Sequence, residues 1–301
     1  MYVIIAGGSG LIGAALTGEL LQAGHQVGIL TRRPGQARLP AGAEALGWDG
    51  RSARGWEDSL ARAGALINLA GENIGASPWT SERKRQIRAS RVDTGLALVE
   101  AVRQSAARPQ VLLQSSAVGY YGPHGSQPLD ESAPPGSDFL SGVAVDWENA
   151  SRAVEELGVR RVIFRTGVVL AKEGGILDRF LYPVKLFAGG PMGSGQQWIP
   201  WIHMRDEVRA IRFLLESQAA AGVYNLTAPQ PVTNAEFVRT LAGVLGRPYW
   251  LPVPAFALKL LLGEMSTLVL DGQKALPARL LAEGFSFDFA ELRPALSDLL
   301  K

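Results

Sequence analysis

The chain has 301 residues, 47% hydrophobic and 19% charged, which is enough to bury a large core in one large domain or two closely joined ones. Its 30 Lys and Arg against 28 Asp and Glu leave a net charge of only +2, so nucleic-acid binding gets no support, and zero cysteines exclude disulfides, Cys-ligated zinc and thiol catalysis. No apolar run reaches the ~18 residues that span a bilayer, and no signal segment precedes the first strand, so the expectation is a cytoplasmic protein with no nucleic-acid and no membrane partner.

Tyr2 to Ala6 reads as a short apolar strand, followed at once by Gly7-Gly8-Ser9-Gly10-Leu11-Ile12-Gly13 and a helix through Leu21. In a strand–turn–helix of this kind Gly7 permits the tight turn. Gly10 lets the backbone approach a pyrophosphate, and Gly13 lets helix and strand pack closely. The N–H groups at the helix start, around Leu11 and Ile12, face the phosphates. The predicted second strand, Val27 to Thr31, ends Leu30-Thr31-Arg32-Arg33 with no acid to hold a ribose 2′-hydroxyl. A 2′-phosphate pairs with Arg32 instead, so Thr31 and Arg32 point to NADP(H) over NAD(H).

Further strands are predicted at Ala43 to Trp48, Ala65 to Ala70, Val111 to Ala117 and Arg161 to Leu170, with helices at Glu82 to Ala107 and Ala144 to Leu157. This alternation predicts an α/β fold, a doubly wound parallel sheet with a smaller mixed α/β C-terminal domain. Phe187 to Pro200 is rich in Gly and Pro. Gly222 to Thr227 reads as a strand and Asn234 to Leu245 as a capped helix, after which the chain is helical and proline-punctuated. The expected division is a dinucleotide-binding domain over 1–170, to which later segments including 205–227 return, substrate-covering segments over 171–247, and a small helical domain over 248–301. His25, His124 and His203 are not at ligand spacing, so no metal is expected.

Gly7-x-x-Gly10-x-x-Gly13, Asn68-Leu69-Ala70-Gly71 and Ser115-Ser116-Ala117-Val118-Gly119-Tyr120-Tyr121-Gly122 resemble the extended short-chain dehydrogenase/reductase superfamily. Ser90-Arg91-Val92-x-Thr94, Asp146-Trp147-Glu148, Arg165-x-Gly167, Gly190-x-Met192-Gly193-x-Gly195, Trp201-Ile202-His203-x-x-Asp206 and Asn225-Leu-Thr-x-Pro229 narrow the resemblance to its atypical, nucleotide-sugar-epimerase-like branch. The tail from Gly263-Glu264-Met265 to Phe287 resembles that branch's small C-terminal domain. The resemblance implies that Leu69, Ala70 and Gly71 line the adenosine and ribose path, that Glu72 touches the cofactor, and that Ser116 holds the catalytic Ser/Thr position. Ser115 beside it ends the strand where a nicotinamide should sit. The resemblance also implies a homodimer through exposed helices such as that from Glu82 onward.

The superfamily's Tyr-x-x-x-Lys pair is missing. Counting back from Glu148 puts its tyrosine slot at Leu140 and its lysine slot at Ala144, and no Tyr or Lys lies between Pro123 and Glu155. An unassisted tyrosine near pKa 10 leaves about three units, roughly 4 kcal/mol, unmatched at neutral pH. Either Tyr120, Tyr121 or His203 supplies the proton, or the protein binds NADPH without turnover, as a regulator or sensor. Trp198, Trp201 and His203 belong to a segment with four glycines, Gly189 to His203, expected to cover a small polar substrate that is sugar-nucleotide-like by the resemblance.

Overall fold

A computed structural model describes residues 1–36 and 39–301. In chain order the elements are β1 (Tyr2–Ala6), α1 (Leu11–Gln22), β2 (Gln26–Thr31), β3 (Glu44–Gly47), α2 (Glu57–Ala61), β4 (Ala65–Asn68), α3 (Ser81–Gln104), β5 (Val111–Ala117), β6 (His124–Leu129) and α4 (Phe139–Ala150). There follow β7 (Arg160–Thr166), β8 (Val168–Leu170), α5 (Leu177–Lys185), β9 (Trp198–Ile199), β10 (Trp201–His203), α6 (Met204–Glu216), β11 (Gly222–Leu226), β12 (Val232–Thr233) and α7 (Asn234–Val244). The tail holds α8 (Ala255–Leu262), α9 (Thr267–Leu270), β13 (Gln273–Ala275), α10 (Ala278–Ala282) and α11 (Leu292–Leu299).

Seven parallel strands form one sheet in the order β3-β2-β1-β4-β5-β7-β11. The central strands are apolar on both faces, as a sheet covered on both sides requires. One face, with Val3, Ile5, Leu113 and Phe164, packs on Leu16 and Leu20 of α1 and on Ile211 and Leu214 of α6. The other, with Ile4, Leu66 and Leu112, packs on Leu98 and Val102 of α3. A separate core gathers Phe180 and Leu181 of α5, Trp201, Phe237 and Leu241 of α7, and Leu292 and Leu296 of α11.

Two predicted elements divide. The expected run Arg161 to Leu170 changes sheets at Gly167. A Cβ there would lie 2.1 Å from the Pro200 carbonyl oxygen, so the chain leaves the main sheet and continues as β8 beside β10. The expected helix Ala144 to Leu157 starts earlier, where the Asp138 carboxylate accepts from the Ser141 N–H at 2.7 Å as its cap, and it gives way to a tighter 3₁₀ turn over Arg152–Leu157. In the tail, β13 pairs with β6, and α11 lies on α7.

Candidate functional site

The glycine turn lies where β1 meets α1. Gly7 has φ +82°, and Gly10 N–H donates to its carbonyl at 3.1 Å. A Cβ on Gly13 would lie 2.3 Å from that same oxygen, so only glycine lets α1 sit this close to the turn. Gly10 precedes α1 with no side-chain cap, and a Cβ on it would meet nothing nearer than 3.4 Å. The N–H groups of the first turn of α1 are thus left to an outside acceptor. Leu11 stands exposed at the helix start, facing Gly174 and Gly175, while Ile12 turns inward to the core.

Other predicted positions converge on this corner. The Leu69 N–H donates to Ala6 O at 2.8 Å, which runs Leu69-Ala70-Gly71 alongside Gly7. Asn68 Oδ1 holds the Ala70 N–H at 3.1 Å. On the other side β2 ends at Thr31, whose hydroxyl accepts from Arg33 N–H at 3.3 Å, leaving Arg32 exposed. Glu72 is gripped by α3. Its N–H donates to Ser90 Oγ, its carbonyl accepts from Arg91 Nη2 at 3.1 Å, and its carboxylate accepts from Arg83 at 3.2 Å. Arg91 lies over the ring of the buried Trp147 at 4.8 Å, and burial pulls its guanidinium down to about 10.

A second polar centre occupies the ends of β5, β7 and β11, where Ser116, Arg165 and Asn225 stand in register. Ser116 Oγ donates to Glu148 Oε1 at 2.7 Å. Arg165 donates to both Glu148 oxygens, Nε to Oε1 at 2.8 Å and Nη2 to Oε2 at 3.0 Å. It also donates from Nη1 to Tyr121 Oη at 3.0 Å, and Tyr121 donates onward to Asn225 Oδ1 at 2.8 Å. Burial works against the Arg165 charge, but the Glu148 carboxylate more than offsets it and holds the guanidinium above its ordinary pKa. Tyr121, buried among these groups, has its phenol pushed up by desolvation, against the opposing pull of Arg165.

The predicted catalytic residues therefore separate. Ser116 is buried with its proton on Glu148. Tyr121, expected as a proton donor, is fully enclosed, with its hydroxyl used both as donor and as acceptor. Tyr120 is half-buried, with the Arg165 guanidinium 3.3 Å from its ring centre, and among the described residues its hydroxyl has no partner. Leu140 lies beside Gly119, next to Tyr120, since a Cβ on Gly119 would come within 3.7 Å of Leu140 Cβ, and Ala144 is buried. Ser115 points to the opposite face of β5, toward α1 and α6, because side chains alternate along a strand.

The expected cover residues also separate. Trp198 is half-buried with Lys274 over its ring at 4.3 Å. Trp201 was expected as an aromatic wall. It is instead fully buried in the core of α5, α7 and α11, its indole N–H donating to Gln230 O at 3.0 Å. His203, expected beside the substrate, is buried too. Its Nδ1 accepts from Arg205 N–H at 3.1 Å and caps α6, its ring stacks on Phe289 at 3.9 Å, and burial lowers its pKa. The neighbouring Asp206 accepts from the Asp288 and Phe289 N–H groups, both at 2.8 Å, so this segment clamps the tail.

In the residue string Glu148 is a landmark for the missing pair and part of the Asp146-Trp147-Glu148 motif, and Glu131 and Glu207 are not singled out. Glu131 accepts from the Asn225 N–H at 3.0 Å. Glu207, fully buried on α6, accepts from Thr166 Oγ1 at 2.8 Å, and burial pushes its carboxyl up to about 8. One signal was available, since Arg165 sits inside an apolar strand and a buried cation demands a partner. Among the described residues no group of His, Asp or Glu is arranged to hold a metal ion.

Residues 3–227 match the NAD dependent epimerase/dehydratase family, and residues 253–299 match a domain of unknown function, DUF1731. The chain is 39% identical over 305 residues to epimerase family protein SDR39U1 of Mus musculus, covering 100% of both chains. It is 38% identical to epimerase family protein YfhF of Bacillus subtilis, covering 100% of this chain and 98% of that one. The crystal structure of human epimerase family protein SDR39U1 with NADPH superposes with a TM-score of 0.87, at 35% identity and 99% coverage of each chain.

Proposed function

The chain belongs to the NAD dependent epimerase/dehydratase family, and on that premise we propose that it binds NADP(H) and acts as an atypical short-chain oxidoreductase or epimerase-like enzyme on a small polar substrate. The glycine corner suits the cofactor: a Cβ on Gly10 would meet nothing nearer than Gly7 O at 3.4 Å, and the start of α1 has no cap of its own. The NADPH of the human relative and the exposed Arg32 at the end of β2 support the phosphorylated cofactor. The bound nicotinamide supplies hydride exchange with a hydroxyl or carbonyl carbon.

The observation that carries catalysis is the placement of the start of α4 beside Gly119, where Ser141 Oγ donates to Gly119 O at 3.1 Å and a Cβ on Gly119 would come within 3.7 Å of Leu140 Cβ. It sets the empty tyrosine slot against the turn that bears Tyr120, whose hydroxyl is free to exchange a proton with a substrate oxygen. Ser116 keeps its lone pairs to accept from a substrate hydroxyl while its own proton rests on Glu148. A sugar-nucleotide-like substrate is the class the branch suggests.

A second reading, a non-catalytic NADPH-binding regulator, is favoured by the buried Ala144 at the lysine slot and by the engagement of Ser116 with Glu148. Calorimetry with NADPH, followed by nicotinamide fluorescence against sugar nucleotides, aldehydes and ketones, separates the two. Fluorescence loss with one compound class, abolished in Tyr120→Phe at unchanged NADPH affinity, supports the enzyme. Tight binding with an inert nicotinamide across the panel supports the regulator.

A further inference from the structure

Helix α8 has no buried residue. Its Phe256, Leu260 and Leu261 are 74%, 87% and 80% exposed. The segment leading into it is stitched to the turn after α5. Trp250 and Leu251 N–H both donate to Gly189 O, Val253 N–H donates to Pro191 O at 2.9 Å, and Trp250 Nε1 donates to Phe187 O at 2.9 Å. Leu186, Phe187, Trp250 and Leu251 are themselves exposed, so these two stitched segments and α8 supply seven of the twelve exposed large apolar side chains among the described residues. Phe187 is the only non-glycine residue at positive φ among those described, at 62°, and its exposed ring is held by Arg247 at 4.4 Å. The left-handed conformation is strained for a non-glycine residue, here one that presents an aromatic ring to solvent.

Cations outnumber acids on this face, where exposed Asp271 lies within electrostatic reach of Lys259. Residues 179–205 and 237–263 contain no Asp or Glu, yet they carry Lys185, Arg247 and Lys259 among the exposed apolar side chains. Glu264, the first acid after α8, is engaged with Lys84. A second copy of the face would set cation against cation. An acidic helix would need a groove, whereas α8 projects with nothing packed over it. Trp, Phe and Leu interleaved with Lys and Arg match the boundary between acyl chains and anionic headgroups.

We propose that this face docks on a membrane surface bearing anionic phospholipid, with α8 lying in the headgroup region and Phe256, Leu260 and Leu261 inserted. No helix of the described residues is long and apolar enough to cross a membrane, so the contact is peripheral.

Flotation of the full chain with vesicles tests this. The protein is expected to rise with phosphatidylcholine–phosphatidylglycerol vesicles, to stay behind with phosphatidylcholine alone, and to dissociate at high salt. The Phe256→Ser/Leu260→Ser/Leu261→Ser variant is expected to lose roughly ten-fold or more in vesicle affinity. The Lys185→Glu/Lys259→Glu variant is expected to lose roughly ten-fold on anionic vesicles alone. Unchanged NADPH affinity and melting temperature show that the variants fold. Flotation by the triple variant equal to that of the unaltered chain overturns the proposal. So does a lipid-free dimer, seen by sedimentation, that the triple variant converts to monomer. Absence of flotation with both vesicles leaves the face to an acidic protein partner and also overturns it.

Discussion

Arg165 and Glu148 face each other edge to edge, Nε to Oε1 at 2.8 Å and Nη2 to Oε2 at 3.0 Å, with both side chains buried. The pair joins β7 to α4, and through Ser116 and Tyr121 it fixes the ends of β5 and β11 as well. The site's polar groups are thus held by one network, not by separate loops.

Breaking that pair strands a buried charge. Arg165→Met is expected to cost about 3–5 kcal/mol in urea unfolding, and Glu148→Gln/Arg165→Met less than the sum of the two single changes. Additive losses across the double-mutant cycle would show that the two residues are not coupled.

The glycines separate by function. A Cβ on Gly13 runs into Gly7 O at 2.3 Å and Gly8 Cα at 2.6 Å, so Gly13→Ala is expected to lower both melting temperature and NADPH affinity. A Cβ on Gly10 would only touch Gly7 O at 3.4 Å, so the melting temperature of Gly10→Leu is expected to fall by no more than about 4 °C while NADPH binding is lost. Calorimetry showing retained affinity in Gly10→Leu would put the cofactor elsewhere.

Arg32→Ala is expected to weaken NADPH by roughly ten- to a hundred-fold, the worth of one or two charge-assisted hydrogen bonds, and to leave NADH nearly unchanged. Equal loss for both cofactors removes Arg32 from 2′-phosphate recognition.

Glu207 makes stability depend on pH. Its carboxyl lies near 8 in the folded protein because of burial, against an ordinary 4.5. Between those values the folded state holds a proton that the unfolded chain has released. The stabilisation is complete below pH 4.5 and is lost as pH rises through about 8, with a slope of at most ~1.4 kcal/mol per pH unit. Denaturation curves from pH 5 to pH 9, roughly this interval, should show the decline, and Glu207→Gln should flatten it and be the more stable protein at the alkaline end. Parallel curves for the two proteins would remove Glu207 as the source.

Local pattern carried much of this molecule. Tyr2 to Ala6, the glycine turn and the start of α1 are legible because strand, turn and helix each follow from neighbours within a few residues. The acid-free end of β2 and the missing Tyr and Lys at Leu140 and Ala144 are likewise facts of the residue string. Trp201 and His203 misled for the opposite reason. Aromatic and polar residues in a glycine-rich stretch read as a pocket wall until Phe237, Gln230 and Phe289, from later segments, close over them.

The sequence by itself determined the α/β class and the strand, glycine turn and helix at its start, since these depend on short-range periodicity and on backbone freedom at a few glycines. Only the tertiary structure decided that β7 and β8 part at Gly167, that Tyr121 is locked while the Tyr120 hydroxyl has no partner among the described residues, and that Ser116 donates its proton to Glu148. Those outcomes rest on Pro200, Asn225 and Glu148, groups 33, 104 and 32 positions away from the residues they act on, which meet them only when the sheet assembles.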